Sequence, residues 1–532
     1  MALLFLVLVG VFVGVVLASS LLLRWNEVRY GNGPRKEGGC LPPGRMGWPL
    51  LGETTDFLKQ GPSFMKQRRL RTQPEMDAGR CCWVEMDVAA GDGVASFWRR
   101  RRSIILAALS PKTSHNNTPH HCPSSQREAV PDAHLGLPDG GVHGPRAQPP
   151  HAAEGEAGGL VPGYPQSMLD ILGRNNIAAV HGPLHRHMRG AMLGLVGPVA
   201  RRQSLLPKID AFMRSHTSGW AGSVVDVQAK TKEMALLSTL RQIAGITAGP
   251  LSDALKAELY TLVLGTISLP INLPGTSYYQ GFQARKKLVS ILEQMITERR
   301  SSGDAHDDML DVLLRSGDDG TRDKISDEQI IDLLIALIYS GYETMSTTSM
   351  MAVKYLSEHP LALEELRREH LDIRKGKSPD EAINYDDFKS MAFTPAVIFE
   401  TLRLATVVNG LLRKTTKDVE MNGWRIYVYT REINYDPFMY PDLMTFNPWR
   451  WLEKNMELHP HFMLFGGGGR MCPGKEVGTV EITTFLHYFV TRYRWEEEGK
   501  NTILKFPRVE APNGCISEFK ITELLQQTFC RV

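Results

Sequence analysis

One cysteine in this chain stands among residue types that suit an anionic sulfur ligand. Cys472 follows a glycine-rich run from Phe465 to Arg470, and Pro473, Gly474 and an apolar helical stretch come after it. Glycines let a backbone approach a flat cofactor closely, and Arg470 can pair with a carboxylate. A helix N-terminus just after the cysteine lowers the pKa of its thiol. The segment therefore predicts a thiolate ligand beside a flat, acidic cofactor.

A phosphate-binding loop is the sharpest alternative for the same segment. Residues Gly469 to Lys475 match the G-x-x-x-x-G-K spacing, but Glu476 stands where such loops carry a magnesium-binding Ser or Thr. A carboxylate at that position would repel phosphate. Two plainer alternatives also exist, since a lone cysteine is usually a small buried hydrophobe and a glycine run is usually a flexible loop.

A long helix predicted over residues 326 to 357 carries a second group of reactive side chains. The run Ser340 to Thr344 places the carboxylate of Glu343 beside a hydroxyl, and such a pair can hold water and relay protons. Gly341 would permit a local distortion of the helix there. The plainer interpretation is that Thr344 bonds back to the carbonyl four residues earlier and that the acid lies on the surface.

The order of these motifs resembles haem-thiolate monooxygenases of the cytochrome P450 superfamily. Their haem-binding pattern F-x-x-G-x-R-x-C-x-G is matched at every specified position, namely Phe465, Gly468, Arg470, Cys472 and Gly474. The resemblance implies haem b with Cys472 as the iron ligand, whose thiolate supplies the electronic push for O–O cleavage. It also implies that the enzyme uses O2 and two electrons from an NADPH-dependent cytochrome reductase to insert one oxygen atom into a C–H bond.

Two upstream patterns extend this resemblance. Glu400 and Arg403 match the family's E-x-x-R on a helix, and Arg450 supplies the second arginine of a structural Glu-Arg-Arg network. Alone, a Glu and an Arg at this spacing are more often a surface pair worth a few tenths of a kcal/mol. Glu343 and Thr344 match the family's A/G-G-x-D/E-T, where the two side chains serve dioxygen activation.

Several cations are predicted to meet the haem propionates. The run Gly182 to Arg189 resembles a pattern of sterol-related plant members and places His185 and Arg189 on one helix face. Arg413 matches a further propionate partner, and Arg470 joins them. For each cation taken singly, a solvated surface position is the alternative.

The substrate class is predicted from apolar stretches that line the distal pocket by analogy with the family. These stretches carry few charges and span residues 161–177, 262–273, 335–339 and 405–411. A large, nearly neutral lipid is expected, held by apolar area and by one or two hydrogen bonds for which Thr406 and Asn409 are candidates.

Three runs narrow the resemblance to plant brassinosteroid-biosynthetic members, and they are Leu269–Thr276, Tyr429–Asn434 and Trp449–Lys454. The subgroup that they most resemble hydroxylates the sterol side chain at C-22. A mechanistically similar oxidation at C-23 or C-6 stays open, because nothing in the pocket residues derives the carbon position.

Periodicity predicts a mainly α (α+β) chain with small sheets. Apolar residues recur at helical spacing over 203–217, 227–247, 252–266, 281–300, 326–357, 360–374 and 390–404. Ser326 followed by Gln329 is the capping-box pattern at the start of the long helix, which should run through the core. Strand-like runs are few, at Trp424–Tyr429, Thr502–Phe506 and Asp418–Met421.

Composition excludes some classes of function. The 532 residues contain 61 Lys and Arg against 58 Asp and Glu, so a formal charge of +3 gives no chain-wide field for nucleic acid. The seven cysteines lack the spacing of a zinc site or of a disulfide framework, which favours a reducing compartment.

The N-terminus has the length and composition of a membrane anchor. Residues 2–23 are apolar apart from serines and glycines, and they lack the basic start of a cleaved signal peptide. Basic residues follow at Arg24, Arg29, Arg35 and Lys36, which favours a cytosolic catalytic part. We therefore predict a single-pass anchor at residues 1–24 in the endoplasmic reticulum membrane and a haem-thiolate catalytic domain over residues 25–532.

Three segments depart from the family. Residues 71–160 show no sustained apolar period and are predicted to be disordered, without the family's first sheet. Turn residues usual between Gly423 and Trp424 are missing, and Cys515–Val532 does not resemble the expected terminal strands. These departures suggest an imperfect gene model or an altered isoform. They leave open an oxygen-inserting enzyme or a catalytically dead, misfolded relative.

Overall fold

The computed structural model describes most of the chain after residue 160. The described residues are 160–220, 224–304, 306–315, 324–378, 381–415, 425–428, 430–437, 439–453, 457, 462–499 and 501–521, with two earlier strands at 84–85 and 103–106. The predicted anchor at residues 1–24 and the predicted strand Asp418–Met421 lie outside these ranges. No helix within the described ranges is long and apolar enough to cross a membrane.

The described part is mainly helical, as predicted. Fifteen α-helices occur in chain order: α1 Gln166–Leu172, α2 Gly182–Gly194, α3 Pro198–Ala200, α4 Leu206–His216, α5 Val227–Ala244, α6 Pro250–Thr266, α7 Ser277–Ser302, α8 Met309–Leu314, α9 Asp327–Glu358, α10 Pro360–Arg374, α11 Tyr385–Ser390, α12 Phe393–Ala405, α13 Thr430–Asn434, α14 Arg450–Glu453 and α15 Lys475–Arg492. A π-helical turn, Arg201–Leu205, joins α3 to α4. Every stretch predicted to be helical from its periodicity is helical.

The long helix α9 begins where the sequence predicted. Ser326 Oγ accepts a hydrogen bond from Gln329 N, and Gln329 Oε1 accepts one from Ser326 N, so two N-terminal donors are paired. The N-terminal half of α9 is buried in a core cluster with α5, α6 and α7, and its C-terminal half is buried in a second cluster with α4, α12 and α15. It therefore runs through the core, and the prediction is confirmed.

Gly341 has a different role from the one expected. Helix α9 is α-helical without interruption from Asp327 to Glu358, so the predicted distortion is wrong. A Cβ at Gly341 would lie 2.6 Å from Thr239 Oγ1 on α5. The glycine is therefore required because two helices approach closely at this point, and a helical pattern in one sequence cannot separate this cause from a distortion.

Two small sheets flank the helices. The first has the order β1-β2-β6-β5-β3 and the second the order β4-β8-β7, with β1 Val84–Glu85, β2 Ser103–Leu106, β3 Leu160–Pro162, β4 Val224–Asp226, β5 Leu411–Thr415, β6 Arg425–Val428, β7 Tyr493–Glu497 and β8 Ile516–Ile521. All pairs are antiparallel except β2 with β6. Strand β6 confirms the run predicted at Trp424–Tyr429.

Three strand predictions need correction. Residues 71–160 were expected to supply no core element, yet β1 and β2 lie there; β1 pairs with β2, and β2 pairs with β6. The segment after Gly514 was not expected to form terminal strands, yet β8 pairs with both β4 and β7. The run Thr502–Phe506 forms only one isolated bridge, between Leu504 and Glu510. The misses at β2 and β8 involve pairing with distant segments, which local composition does not reveal.

Candidate functional site: a cysteine-floored cavity under the long helix

A cavity of about 660 Å³ lies between α9 and the loop that carries Cys472. Its wall is mainly apolar, with contributions from α1, α2, α5, α9, α12, β5 and the start of α15. The predicted haem-binding residues Phe465, Arg470, Cys472 and Gly474 border this space. Gly468 does not line it and instead turns the loop, with a φ of +62° that favours glycine.

The cysteine loop holds its shape through backbone hydrogen bonds. Cys472 N donates to Phe465 O over 2.8 Å, which closes the loop. Gly466 has a φ of +73°, a conformation that few other residues adopt. The Phe465 ring packs edge-on against Phe399, 6.1 Å between centroids, and Lys475 Nζ lies 5.6 Å from its ring centre. These contacts hold the Cys472 sulfur next to the N-terminus of α15.

The pKa of Cys472 differs in direction from the sequence-based expectation. Burial raises this pKa, while the backbone N–H groups of Gly474 and Lys475 and the charge of Arg189 lower it by less. The side chain is exposed, but to the cavity and not to bulk water. The backbone N–H groups at the helix N-terminus favour the thiolate as expected, but burial outweighs them, and a bound cation would favour the thiolate further.

Four predicted cations border the cavity together. His185, which is 5% exposed, and Arg189 come from α2, Arg413 from β5 and Arg470 from the cysteine loop. Arg189 Nη1 donates to Met471 O over 2.7 Å, so α2 is tied directly to the residue before the cysteine. Burial lowers the pKa of Arg189, and the charge on Cys472 partly offsets this. Four cations around one mainly apolar cavity call for an anionic group.

The acid and the hydroxyl predicted on α9 both line the cavity. Thr344 Oγ1 donates to Ser340 O over 2.7 Å, so the back-bonded geometry is present, and the hydroxyl oxygen remains able to accept a hydrogen bond from the cavity side. Glu343 is not a surface acid, because its side chain is only 16% exposed. Burial raises the pKa of Glu343, and the positive charge of Arg508 lowers it by less.

Arg508 is a site residue that the sequence did not single out. Its Nη1 lies 3.7 Å from Glu343 Oε1, which is outside hydrogen-bond range, and neither atom has a hydrogen-bond partner among the residues that the structure describes. The other side of the guanidinium bonds both oxygens of Glu510, over 3.0 and 2.6 Å. Arg508 therefore links the acid at the cavity to a second carboxylate farther out. No local motif marks it, since the contact is long-range.

The predicted Glu-Arg-Arg network forms completely. Arg403 donates two hydrogen bonds of 2.8 Å to Glu400, and both side chains are 0% exposed. Arg450 Nε donates to Glu400 over 3.1 Å, and Trp451 Nε1 donates over 2.9 Å. Arg403 also donates to the carbonyls of Asn434, Leu443 and Thr445. The network therefore holds the segment before the cysteine loop against α12.

The two expected substrate donors do not both reach the cavity. Thr406 lines it, but its hydroxyl donates to Arg403 O. Asn409 does not line it and instead donates to the carbonyls of Lys505 and Pro507. Tyr164 and Tyr339 lie at the cavity wall, within stretches that the sequence predicted to line it, and add hydroxyl groups that were not named as substrate donors.

Comparison with known proteins agrees with this site. The cytochrome P450 family model matches residues 254–513. A cytochrome P450 85A1 of Brachypodium distachyon is 71% identical over 514 residues, 96% of this chain and 97% of the relative. A cytochrome P450 85A1 of Oryza sativa subsp. japonica is 69% identical over 520 residues, 96% of this chain and 98% of the relative.

The fold has a solved counterpart. The retinoic acid-bound cyanobacterial CYP120A1 superposes with a TM-score of 0.71 at 22% identity, covering 91% of this chain and 99% of the other. At that identity the likeness concerns the fold. With the relatives above, it places this chain in the cytochrome P450 family. The protein is a haem-thiolate monooxygenase, as the resemblance of its motifs predicted.

The residues present fit a haem. Cys472 supplies a sulfur at the cavity floor, and coordination to iron deprotonates a thiol outright. The four cations suit the two propionates of the group. Haem with cysteine thiolate ligation therefore agrees with both the donor set and the family.

Proposed function

We propose that the protein oxidises a brassinosteroid-type steroid, using O2 and electrons from an NADPH-dependent cytochrome reductase. The observation that carries this proposal is the mainly apolar cavity that begins at Cys472 and ends at α9 with a few polar groups. Such a lining suits a large, rigid, nearly neutral ligand, because apolar area supplies most of the affinity and isolated polar groups orient it. The resemblance of Leu269–Thr276 to brassinosteroid-biosynthetic members supports the same class.

The chain's own residues have separable tasks in this reaction. Bound haem supplies oxygen activation through its iron, with the Cys472 thiolate as electron donor. His185, Arg189, Arg413 and Arg470 would hold the propionates and so fix the plane of the group. Apolar side chains exclude water and hold the substrate against that plane.

Thr344 and Glu343 would deliver protons from the distal side. The hydroxyl of Thr344 donates to Ser340 O, and its oxygen could still accept a hydrogen bond from water in the cavity. Glu343 lies next to it on α9 and meets the Arg508–Glu510 pair, which leads outward from the cavity. A buried acid with a raised pKa gains and loses protons closer to neutral pH, which suits a relay.

The oxidised carbon is proposed to be C-6 of the ring system. The C-22 position expected from the sequence has no specific support, whereas C-6 is an alternative that the sequence left open. The similarity to relatives named cytochrome P450 85A1, at 71% and 69% identity, favours C-6. The rigid ring system would then lie across the haem.

The test is incubation of full-length holoprotein with a plant cytochrome reductase, NADPH and a 6-deoxo brassinosteroid precursor, with products identified by mass spectrometry. A product oxidised at C-6 supports the proposal. Oxidation at C-22 or C-23 refutes the position and keeps the substrate class. Binding of haem and reduction without oxidation of any steroid contradicts the substrate class.

The relay is tested separately with Thr344→Ala. Product formed per O2 consumed should fall roughly a hundredfold, the low end of the usual effect of a positioned proton donor, with peroxide released instead. Thr261→Ala is the matched control, because Thr261 also bonds back to a helix carbonyl, Ala257 O, but lies on the surface. Equal product yields in the two variants would exclude a role for Thr344.

The N-terminal segment is proposed to anchor the protein in the endoplasmic reticulum membrane with the catalytic part in the cytosol. Its apolar length is sufficient for one span. A fluorescent fusion of the whole chain should co-localise with a reticulum marker and resist alkaline extraction, and a fusion lacking residues 1–24 should be extracted. Equal extraction of both fusions would contradict an anchor.

A further inference from the structure

A carboxyl group that the reaction does not account for faces the haem cavity from α15. Glu481 is 1% exposed and lies in the helix that begins just after the cysteine loop. Gly474, Gly478 and Glu481 recur at helical spacing and line the same wall of the cavity. An acid in an otherwise apolar, buried helix is costly unless it is paired or has a function.

Hydrogen bonds reach only one oxygen of this carboxyl group. Ser238 Oγ on α5 donates to Glu481 Oε1 over 2.6 Å, and Gln242 Nε2, one turn later, donates to the same oxygen. Oε2 is buried and has no hydrogen-bond partner among the described residues. Oε2 is therefore the oxygen that holds the proton when the acid is neutral.

The surroundings of Glu481 allow both its protonated and its ionised form near neutral pH. Burial raises the pKa of Glu481 to about 7, and the hydrogen bonds from Ser238 and Gln242 offset burial only in part. No charged side chain of the described residues contributes to this shift. The same cavity is also lined by His185 and Arg189 on α2, by Glu343 on α9, and by Arg413, Arg470 and Arg508.

Other charged groups on the elements that pack against α15 are engaged elsewhere. On α4, Asp210 accepts from Tyr488 Oη. On α10, Arg374 donates to His487, and on α12 the Glu400–Arg403 pair is complete. None of these groups bonds to Glu481, so the cofactor's own charge is the remaining partner within the cavity.

We propose that Glu481 is a redox-coupled acid of the haem site. As the iron accepts one electron from the redox partner, Glu481 Oε2 takes up one proton from solvent, and no other bond forms or breaks. The ionised carboxylate stabilises the ferric iron because opposite charges attract strongly in an enclosed, low-dielectric space. Reduction lowers the iron's charge, so the proton is held more tightly afterwards. Glu481 thus acts only through the haem, by changing how readily the iron is reduced. The inference depends on the haem site and is independent of the proposed steroid.

The test is the reduction potential of the full-length holoprotein, titrated with a chemical reductant between about pH 6 and about pH 8, a window around the pKa of the acid. The wild-type potential should fall as the pH rises. Glu481→Gln should flatten this dependence and give the higher potential at the alkaline end. Glu476→Gln, which changes a half-exposed acid on the same helix that pairs with Arg201, should keep the wild-type dependence.

A wild-type potential that does not change with pH overturns the proposal, as does a Glu481→Gln variant with the wild-type dependence. If Glu481→Gln fails to retain haem, Ser238→Ala decides. That variant removes one donor to the carboxylate, so the pH midpoint of the potential should move upward. An unmoved midpoint in Ser238→Ala also overturns the proposal. Steroid turnover takes no part in these measurements, so a wrong substrate leaves them readable.

Discussion

Glu400 and Glu343 are both buried acids on core helices, and their surroundings are opposite. Glu400 accepts hydrogen bonds from Arg403, Arg450, Trp451 Nε1 and the backbone of Asn447. Glu343 lies 3.7 Å from Arg508, too far for a hydrogen bond, and its Oε1 has no hydrogen-bond partner in the described part of the chain. A carboxylate whose oxygens accept a complete set of hydrogen bonds keeps one charge state and one geometry. A carboxylate with an incomplete set can change its proton affinity during a reaction.

The comparison suggests a way to separate structural from catalytic acids in this fold. A structural acid has its oxygens used by protein donors on several segments, so replacing it disturbs folding. A catalytic acid keeps an oxygen for the cavity, so replacing it disturbs proton transfer more than stability. Glu481 resembles Glu343 in its bonding, because one of its oxygens accepts hydrogen bonds and the other has no partner among the described residues.

The largest effect is expected from Glu400→Gln. The variant leaves the buried guanidinium of Arg403 without its counter-charge, so the free energy of unfolding should fall by about 3–5 kcal/mol. Denaturant unfolding of the holoprotein measures this change. Glu365→Gln is the matched control, because Glu365 and Arg368 form an ion pair at the same spacing on the surface, where the expected loss is below about 1 kcal/mol. Similar losses in the two variants would break the comparison.

A second expected effect concerns pH. Burial raises the pKa of Glu481 from 4.5 to about 7, so the folded protein favours the protonated acid. Its contribution to stability is full below the unfolded value and is lost as the pH rises through the folded value, by roughly 3 kcal/mol in total. The difference in Tm between wild type and Glu481→Gln should therefore change across this window. A constant difference would contradict the assignment.

A third prediction concerns the close packing of α9, the helix that carries Glu343, against α5. Gly341→Ala would place a methyl group 2.6 Å from Thr239 Oγ1, so α9 must shift away from α5, at a cost of about 1–3 kcal/mol. Adding Thr239→Ala should recover most of the loss, because it removes that hydroxyl. Gly190→Ala, at an exposed helical glycine with open space, should be neutral or slightly stabilising. Thermal unfolding of the three variants tests this explanation, and a double variant no more stable than Gly341→Ala contradicts it.

The smallest expected effect on stability is from Arg508→Met, below about 1 kcal/mol, since the contact with Glu343 is not a hydrogen bond. Loss of the positive charge should raise the pKa of Glu343 further, because Arg508 lowers it. If the ionised acid accepts protons from solvent, the acidic limb of the pH profile of product yield moves to higher pH. Arg508→Lys should keep the wild-type profile. If the acidic limb of the pH profile does not move in Arg508→Met, Arg508 has no role in the proton relay.

The sequence predicted the helical part of the fold well, because helical periodicity is local. The span of α9 and its Ser326 cap could be identified from a few neighbouring residues. Strands β1, β2 and β8 could not, since each is defined by pairing with a distant segment. The same limit applies to Gly341, whose partner Thr239 lies on another helix.

The candidate site also contains some residues that the sequence could predict and some that it could not. Cys472, Thr344 and Glu400 were predictable because they belong to short motifs of fixed spacing, and the structure brings the first two to one cavity. Arg508 carries no local signal. Glu481 carried one that was missed, namely an acid inside the apolar stretch that continues from the cysteine loop. An ionisable residue within a run predicted to be buried deserves the same scrutiny as a motif.

The account's central claim is that Cys472 is the thiolate ligand of the haem iron. The most direct measurement is the absorption spectrum of the reduced, carbon monoxide-bound protein, since a thiolate opposite the gas gives a strongly red-shifted Soret band. The wild type should show this band, and Cys472→Ala should lack it. A red-shifted band that survives in Cys472→Ala would contradict the claim.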